Sequence, residues 1–142
     1  MKKIITDSGI VIKWCVSEFD SAQAKLIYDE YEAGRLEFLA PSLLPAEVGN
    51  IIWKKRIFQS LSEINAEDAI KIYQQVAFTL TQISLLFDDA YQIAIKYKRT
   101  FYDSLYLALS VRENCEFVTA DEKFYNAVRA NFSNIILLSS WQ

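Results

Sequence analysis

Histidine is absent from this chain, and with it go the commonest general base, the imidazole ligand of zinc and any Ser-His-Asp triad. Catalysis would have to rest on carboxylates. Three glycines and two prolines leave little room for linkers, low-complexity stretches or a glycine-rich phosphate loop, so a nucleotide cofactor is not expected. The two cysteines, Cys15 and Cys115, lie far apart within apolar runs, which gives neither a thiolate metal pair nor a disulfide framework. They read as buried free thiols of a reducing compartment. No uninterrupted apolar stretch approaches the length of a membrane span. The opening Met1-Lys2-Lys3-Ile4-Ile5 is broken by Thr6 and Asp7 too early for a signal-peptide core. A cytoplasmic protein with no membrane partner is expected.

What is present is apolar and aromatic. Hydrophobic residues make up 52% of 142 positions, enough for one core and one domain, expected to span residues 1–142. Three Trp, eight Tyr and nine Phe exceed what one core of this size needs, so some aromatic surface is expected to face a partner. The net charge of −3 argues against nucleic-acid binding by bulk electrostatics, although a cation in an acidic site would invert that sign locally.

Periodicity divides the chain into alternating strands and helices. Lys3–Thr6, Leu36–Ala40, Gln82–Leu86, Glu116–Thr119 and Ile135–Leu138 read as strands. Asp20 is expected to cap a helix that runs to Tyr31 and stops at Gly34, and a helix from Ser42 to about Ile57 tolerates Pro45 only in its first turn. Asn65 is expected to cap Ala66 to about Phe78, and Asp88–Lys98 and Tyr102–Asn114 carry helical spacing. Connections too long for hairpins argue a mostly parallel sheet of about five strands with helices on both faces, an α/β fold.

Four acids stand where apolar runs meet helix starts: Asp7, Glu47, Asp103 and Asp121. Each alone is explained by capping or by the helix dipole. Together they suggest a metal site, because strand ends and the helix starts that follow them share one crevice in an open α/β sheet. The basic runs Lys54-Lys55-Arg56 and Lys96, Lys98, Arg99 flank Glu47 and Asp103, either as solvated helix ends or as phosphate-positioning groups. Trp14, Trp53, Phe58 and Trp141 are candidates for base stacking, with core packing expected of at least half of them.

The segments Ile4-Ile5-Thr6-Asp7-Ser8, Ala40-Pro41-Ser42-Leu43-Leu44-Pro45-Ala46-Glu47-Val48, Thr100-Phe101-Tyr102-Asp103-Ser104-Leu105-Tyr106 and Phe117-Val118-Thr119-Ala120-Asp121, in this order, resemble PIN-domain endoribonucleases of the toxin type found in VapBC toxin–antitoxin systems. The resemblance implies a PIN-like domain and carries an acidic quartet onto Asp7, Glu47, Asp103 and Asp121, with Thr119 as a supporting hydroxyl. Where that family commonly has Ser or Thr two residues after the first Asp, this chain has Gly9, and Ser8 stands beside it. It further implies Mg²⁺ or Mn²⁺, cleavage of RNA, a homodimer and a silencing VapB-type antitoxin.

The mechanism expected from these residues is metal-assisted hydrolysis of a phosphodiester bond. Asp7, Asp103 and Asp121 would hold one or two Mg²⁺ while Glu47 orients a water or a second ion. An aspartyl-phosphate phosphatase or receiver is a rival reading. The phosphatase wants a second Asp where Gly9 stands, and the receiver wants an early acidic pair that is missing. A non-catalytic PIN-like binding module is the other rival, against which the complete quartet argues.

Overall fold

In the computed structural model, which describes residues 1–142, the apolar runs form β1 (Lys2–Thr6), β2 (Leu36–Pro41), β3 (Phe78–Thr81), β4 (Glu116–Thr119) and β5 (Ile135–Leu137). All pair in parallel, in the order β3-β2-β1-β4-β5. The inner strands β2 and β4 are buried nearly throughout, and β1 is buried from Ile4 to Thr6, as a parallel sheet covered on both faces requires. Seven helices connect them: α1 (Ser8–Cys15), α2 (Ser21–Glu32), α3 (Leu44–Phe58), α4 (Glu63–Gln75), α5 (Phe87–Tyr97), α6 (Phe101–Glu113) and α7 (Glu122–Val128).

Strand alternation sends neighbouring side chains to opposite faces. Ile5, Leu39, Phe117 and Ile135 meet Leu105, Tyr106 and Leu109 of α6 on one face. Ile4, Phe38 and Val118 meet Ile10 of α1 and Ala24 and Ile27 of α2 on the other. A third cluster, including Val11, Leu44, Val48, Ala66 and Ala69, ties α1 to α3 and α4. Helix α6 is buried without interruption from Ser104 to Ser110, which makes it the central helix of its face.

The topology fixes where a ligand would sit. The chain leaves β1 toward β2 on one side, and β4 lies on the other side of β1, so the strand order reverses about β1. A crevice opens at the carboxyl ends of β1 and β4, where α/β sheets bind ligands.

Three local expectations differ from what is found. The fourth helix begins at Glu63 and ends at Gln75, capped by Ser62, whose Oγ accepts from the Asn65 N–H at 3.1 Å; Asn65 lies inside the first turn. The helix therefore ends early, and the strand falls on Phe78–Thr81, richer in aromatic and β-branched residues than Gln82–Leu86. Residues Ile83–Leu85 form a 3₁₀ turn instead. Asp20 occupies the cap position of α2 but makes no capping bond, because its carboxylate faces Lys13 Nζ at 3.0 Å and its φ is +63°.

Three buried side-chain oxygens have no hydrogen-bond partner, and two of them, Glu18 Oε1 and Asp20 Oδ1, face the Lys13 ammonium. Thr6, 1% exposed, has an Oγ1 without a hydrogen-bond partner. An unsatisfied buried hydroxyl costs about 1–3 kcal/mol. Thr6→Val is therefore expected to raise stability by about 1 kcal/mol, a rise of a few degrees in Tm by thermal denaturation. A fall in Tm would mean that the hydroxyl is satisfied by a buried water.

Candidate active site

Asp7 directly follows β1 and caps α1, its Oδ1 accepting from the Ile10 N–H at 3.1 Å. Its other oxygen, Oδ2, accepts from the Thr119 hydroxyl at 2.6 Å. Thr119 ends β4, is fully buried, and its Oγ1 in turn accepts from the Asp121 N–H at 3.1 Å. A single hydroxyl thus couples the acids after the two central strands. Asp121 caps α7 through the Phe124 N–H, at 3.0 Å.

Asp103 lies in the first turn of α6, and its N–H donates to the cap hydroxyl of Thr100 at 3.1 Å. Asp7, Asp103, Thr119 and Asp121 line one narrow cleft together with Phe117 and Phe124. Glu47, in the first turn of α3, receives the Tyr106 phenol at 2.5 Å and feels the charge of Asp103. All four acids therefore gather at the carboxyl edge of the sheet. Ser8 lies close enough to act on both Glu47 and Tyr106, so its hydroxyl serves that pair rather than Asp7. A Cβ built on Gly9 would meet Asp7 Oδ1 at 3.4 Å, ordinary contact, so the missing side chain leaves that oxygen uncovered.

The electrostatics are those of crowded acids. Burial, opposed by the Thr119 and Ile10 hydrogen bonds and reinforced by Asp103 and Asp121, raises the Asp7 carboxyl from 3.8 to about 6. Burial also pushes up Glu47, against the Tyr106 bond, and Asp103, against Thr100 and the nearby Arg99. None of the four acids is in an ion pair; every salt bridge lies elsewhere.

The donor set fits a hard divalent cation, because it is all oxygen and carries unbalanced negative charge. It is not a closed cage: no three acidic side chains converge tightly enough to enclose an ion by themselves. Mg²⁺ characteristically takes one or two carboxylates and keeps several waters, so an open arrangement suits it.

The basic runs divide. Lys55 is largely buried and lies 3.2 Å from Glu18, and Arg56 donates to the Leu61 carbonyl, so both serve the fold. Arg99 donates to the Tyr97 carbonyl and lies near enough to lower Asp103. Among the aromatics, Trp14 stacks on Phe38 at 4.9 Å and, like Trp141, packs against the core. Trp53 and Phe58 are exposed and meet edge to face at 5.8 Å.

Tyr106 is the residue that sequence reasoning missed. It is 1% exposed, within an apolar stretch of α6 one turn after Asp103. The available signal was its polar tip, since a buried phenol needs a partner. Tyr106→Phe is expected to free the Glu47 carboxylate, lower stability by about 1–2 kcal/mol and reduce turnover about tenfold with KM little changed. Denaturation and steady-state kinetics on the same preparation check this.

The matches to known proteins agree with this geometry. Residues 4–130 match the PIN domain family model, so the chain belongs to the PIN-domain family, whose members are generally nucleases that use divalent metal ions. Among solved structures it is similar to the crystal structure of PAE2754 from Pyrobaculum aerophilum, with a TM-score of 0.67 and 18% identity over 98% of this chain and 92% of that one. That likeness is one of fold. No significant match was found among curated proteins.

Proposed function

We propose that this PIN domain is a divalent-metal-dependent endoribonuclease and the toxin of a toxin–antitoxin pair. The observation that carries the nuclease reading is the gathering of Asp7, Asp103 and Asp121 on one cleft, with Glu47 beside Asp103 and no basic side chain paired to any of them. Asp7, Asp103 and Asp121 would hold Mg²⁺ or Mn²⁺, and Glu47 would orient the attacking water. A bound cation supplies charge neutralisation at the phosphoryl oxygens and a more acidic water. Thr119 fixes the Asp7 carboxylate, and Tyr106, with Ser8 beside it, holds Glu47 in one orientation. With no histidine in the chain, proton transfer falls to these carboxylates.

The partners follow the same reading: an RNA substrate, a second copy and an antitoxin. Phe87, Tyr91 and Ile95 form an exposed apolar stripe at i, i+4 and i+8 along α5, which favours a homodimer. A cleft of about 410 Å³ between α1, α2 and α4, lined by Trp14, Tyr28 and Ile72, offers an antitoxin segment an apolar seat. No helix is long and apolar enough to cross a membrane, in keeping with a cytoplasmic site of action.

The test is cleavage of end-labelled total RNA by purified protein with Mg²⁺ or Mn²⁺ and with chelator, beside Asp7→Asn prepared identically. Discrete fragments that require both metal and Asp7 are expected. Cleavage that persists in chelator or in Asp7→Asn overturns the assignment.

A further inference from the structure

The most exposed large apolar side chain of the molecule stands at a second cleft, one that reaches the chain neighbours of Asp121. Phe19, 93% exposed, occupies the turn between α1 and α2. It borders a cleft of about 260 Å³ shared with Ala120 and Glu122, the two chain neighbours of Asp121, with Leu137 at the end of β5 and with Ser139 beyond it. The ring contributes nothing to the core, yet the turn that carries it is fixed at several points.

The Ser21 Oγ accepts from the Glu18 N–H at 2.8 Å, and the Ser21 N–H donates to the Glu18 carbonyl at 3.2 Å. Lys13 lies 3.0 Å from Asp20, and Lys55 lies 3.2 Å from Glu18, both lysines being mostly shielded from water. Asp20 holds a left-handed φ of +63°, a conformation that Asp adopts more readily than most residues with a side chain. Two shielded ion pairs thus hold the turn that keeps an apolar ring in water at the lip of this cleft.

The cleft's size and charge define its occupant. It falls below the range of drug-sized pockets, about 300–1,000 Å³, and suits a single heterocycle. Its rim carries Asp20 and Glu122, and Glu122 is exposed without an ion-pair partner, so a phosphate is repelled here while a ring bearing amino groups is accepted. We propose that this cleft takes one unstacked nucleobase of the RNA strand, with Phe19 stacked on its face and Glu122 accepting from an exocyclic amino group. The inference rests on the nuclease reading above and adds to it a substrate subsite next to Asp121. It predicts single-stranded substrate and a preference for adenine, cytosine or guanine over uracil at one position near the cut.

The test uses Phe19→Ala, Phe19→Leu and Phe19→Tyr with a short single-stranded RNA that the wild type cleaves. Base stacking is sequence-tolerant and needs a π-face, so Ala and Leu are expected to raise KM about tenfold or more with kcat within about twofold, and Tyr to restore it. Because the ring is exposed, none of these changes should move Tm appreciably. Glu122→Gln should weaken the base preference at that one position. Unchanged KM in Phe19→Ala, or Leu equal to Phe, overturns the stacking role and leaves the nuclease reading standing; the ring would then serve a protein contact. Absence of any RNA cleavage by the wild type overturns the nuclease reading instead. In that case binding of oligonucleotides carrying 2-aminopurine, which needs no turnover, decides the subsite: fluorescence quenching at one position that disappears in Phe19→Ala supports it, and quenching that persists refutes it.

Discussion

Asp7→Asn is expected to reduce metal-dependent RNA cleavage by about 10³-fold, roughly 4 kcal/mol of transition-state stabilisation, while raising the Tm of the metal-free protein. The two effects come from the same charge. Asp7 feels both Asp103 and Asp121, and burial already raises its carboxyl to about 6. Removing its charge relieves that repulsion. The amide oxygen of Asn can still accept from the Ile10 N–H, so the α1 cap survives, while the amide NH2 that replaces Oδ2 ends the donation from the Thr119 hydroxyl and offsets part of the gain. Asp7→Ala, by contrast, loses the cap as well and should give back about 1 kcal/mol of the gain. Cleavage rates and melting curves of wild type, Asp7→Asn and Asp103→Asn in chelator and in Mg²⁺ check the pairing of effects. In the wild type Mg²⁺ should raise Tm, and in the Asn variants this rise should shrink. Lost activity together with lowered metal-free stability would show instead that Asp7 is a structural acid.

The placement of the four acids was legible because each is marked locally. Asp7 and Asp121 stand just past apolar runs that become β1 and β4, and Asp103 and Glu47 fall within first helical turns. The parallel alternation then brings such positions to one edge of the sheet. What was not legible depends on partners distant in sequence. The bond from Tyr106 to Glu47 spans 59 positions. Asp20 reads as a cap until Lys13, seven residues earlier, claims its carboxylate. Ser62 and Asn65 are both competent caps three residues apart, and the chain uses Ser62, so the fourth helix starts three residues before the place that Asn65 marks and the third strand falls earlier too. Phe19 reads as one more apolar residue in a chain with nine phenylalanines, and only its position on a pinned turn beside Asp121 sets it apart.

Metal-free protein is expected to gain stability as the pH falls from about 7 to about 5, the reverse of ordinary acid denaturation. Burial raises the Asp7 carboxyl from 3.8 to about 6 and shifts Glu47 and Asp103 upward as well. A carboxyl with a folded pKa above its unfolded value binds its proton more tightly in the native chain. Between about pH 4 and 6 the native state therefore holds more protons than the unfolded state, and stability rises as pH falls. Above pH 6 Asp7 is ionised in both states and the fold bears the full cost of the charge. Below about pH 4 it is protonated in both and the gain is complete. At 1.36 kcal/mol per pKa unit the shift caps the Asp7 contribution at about 3 kcal/mol, and solvent access to this half-buried residue reduces it. Saturating Mg²⁺ should invert the trend, because a cation selects the ionised carboxylates and its affinity falls as they protonate. Melting curves between about pH 7.5 and 4.5, in chelator and in Mg²⁺, should therefore slope in opposite directions, and Asp7→Asn should flatten the metal-free curve. Cleavage should fall with pH through about 6 for the same reason. In most proteins a transition in this range would be credited to histidine. This chain has none, so a titration near pH 6 points to raised carboxylates such as Asp7.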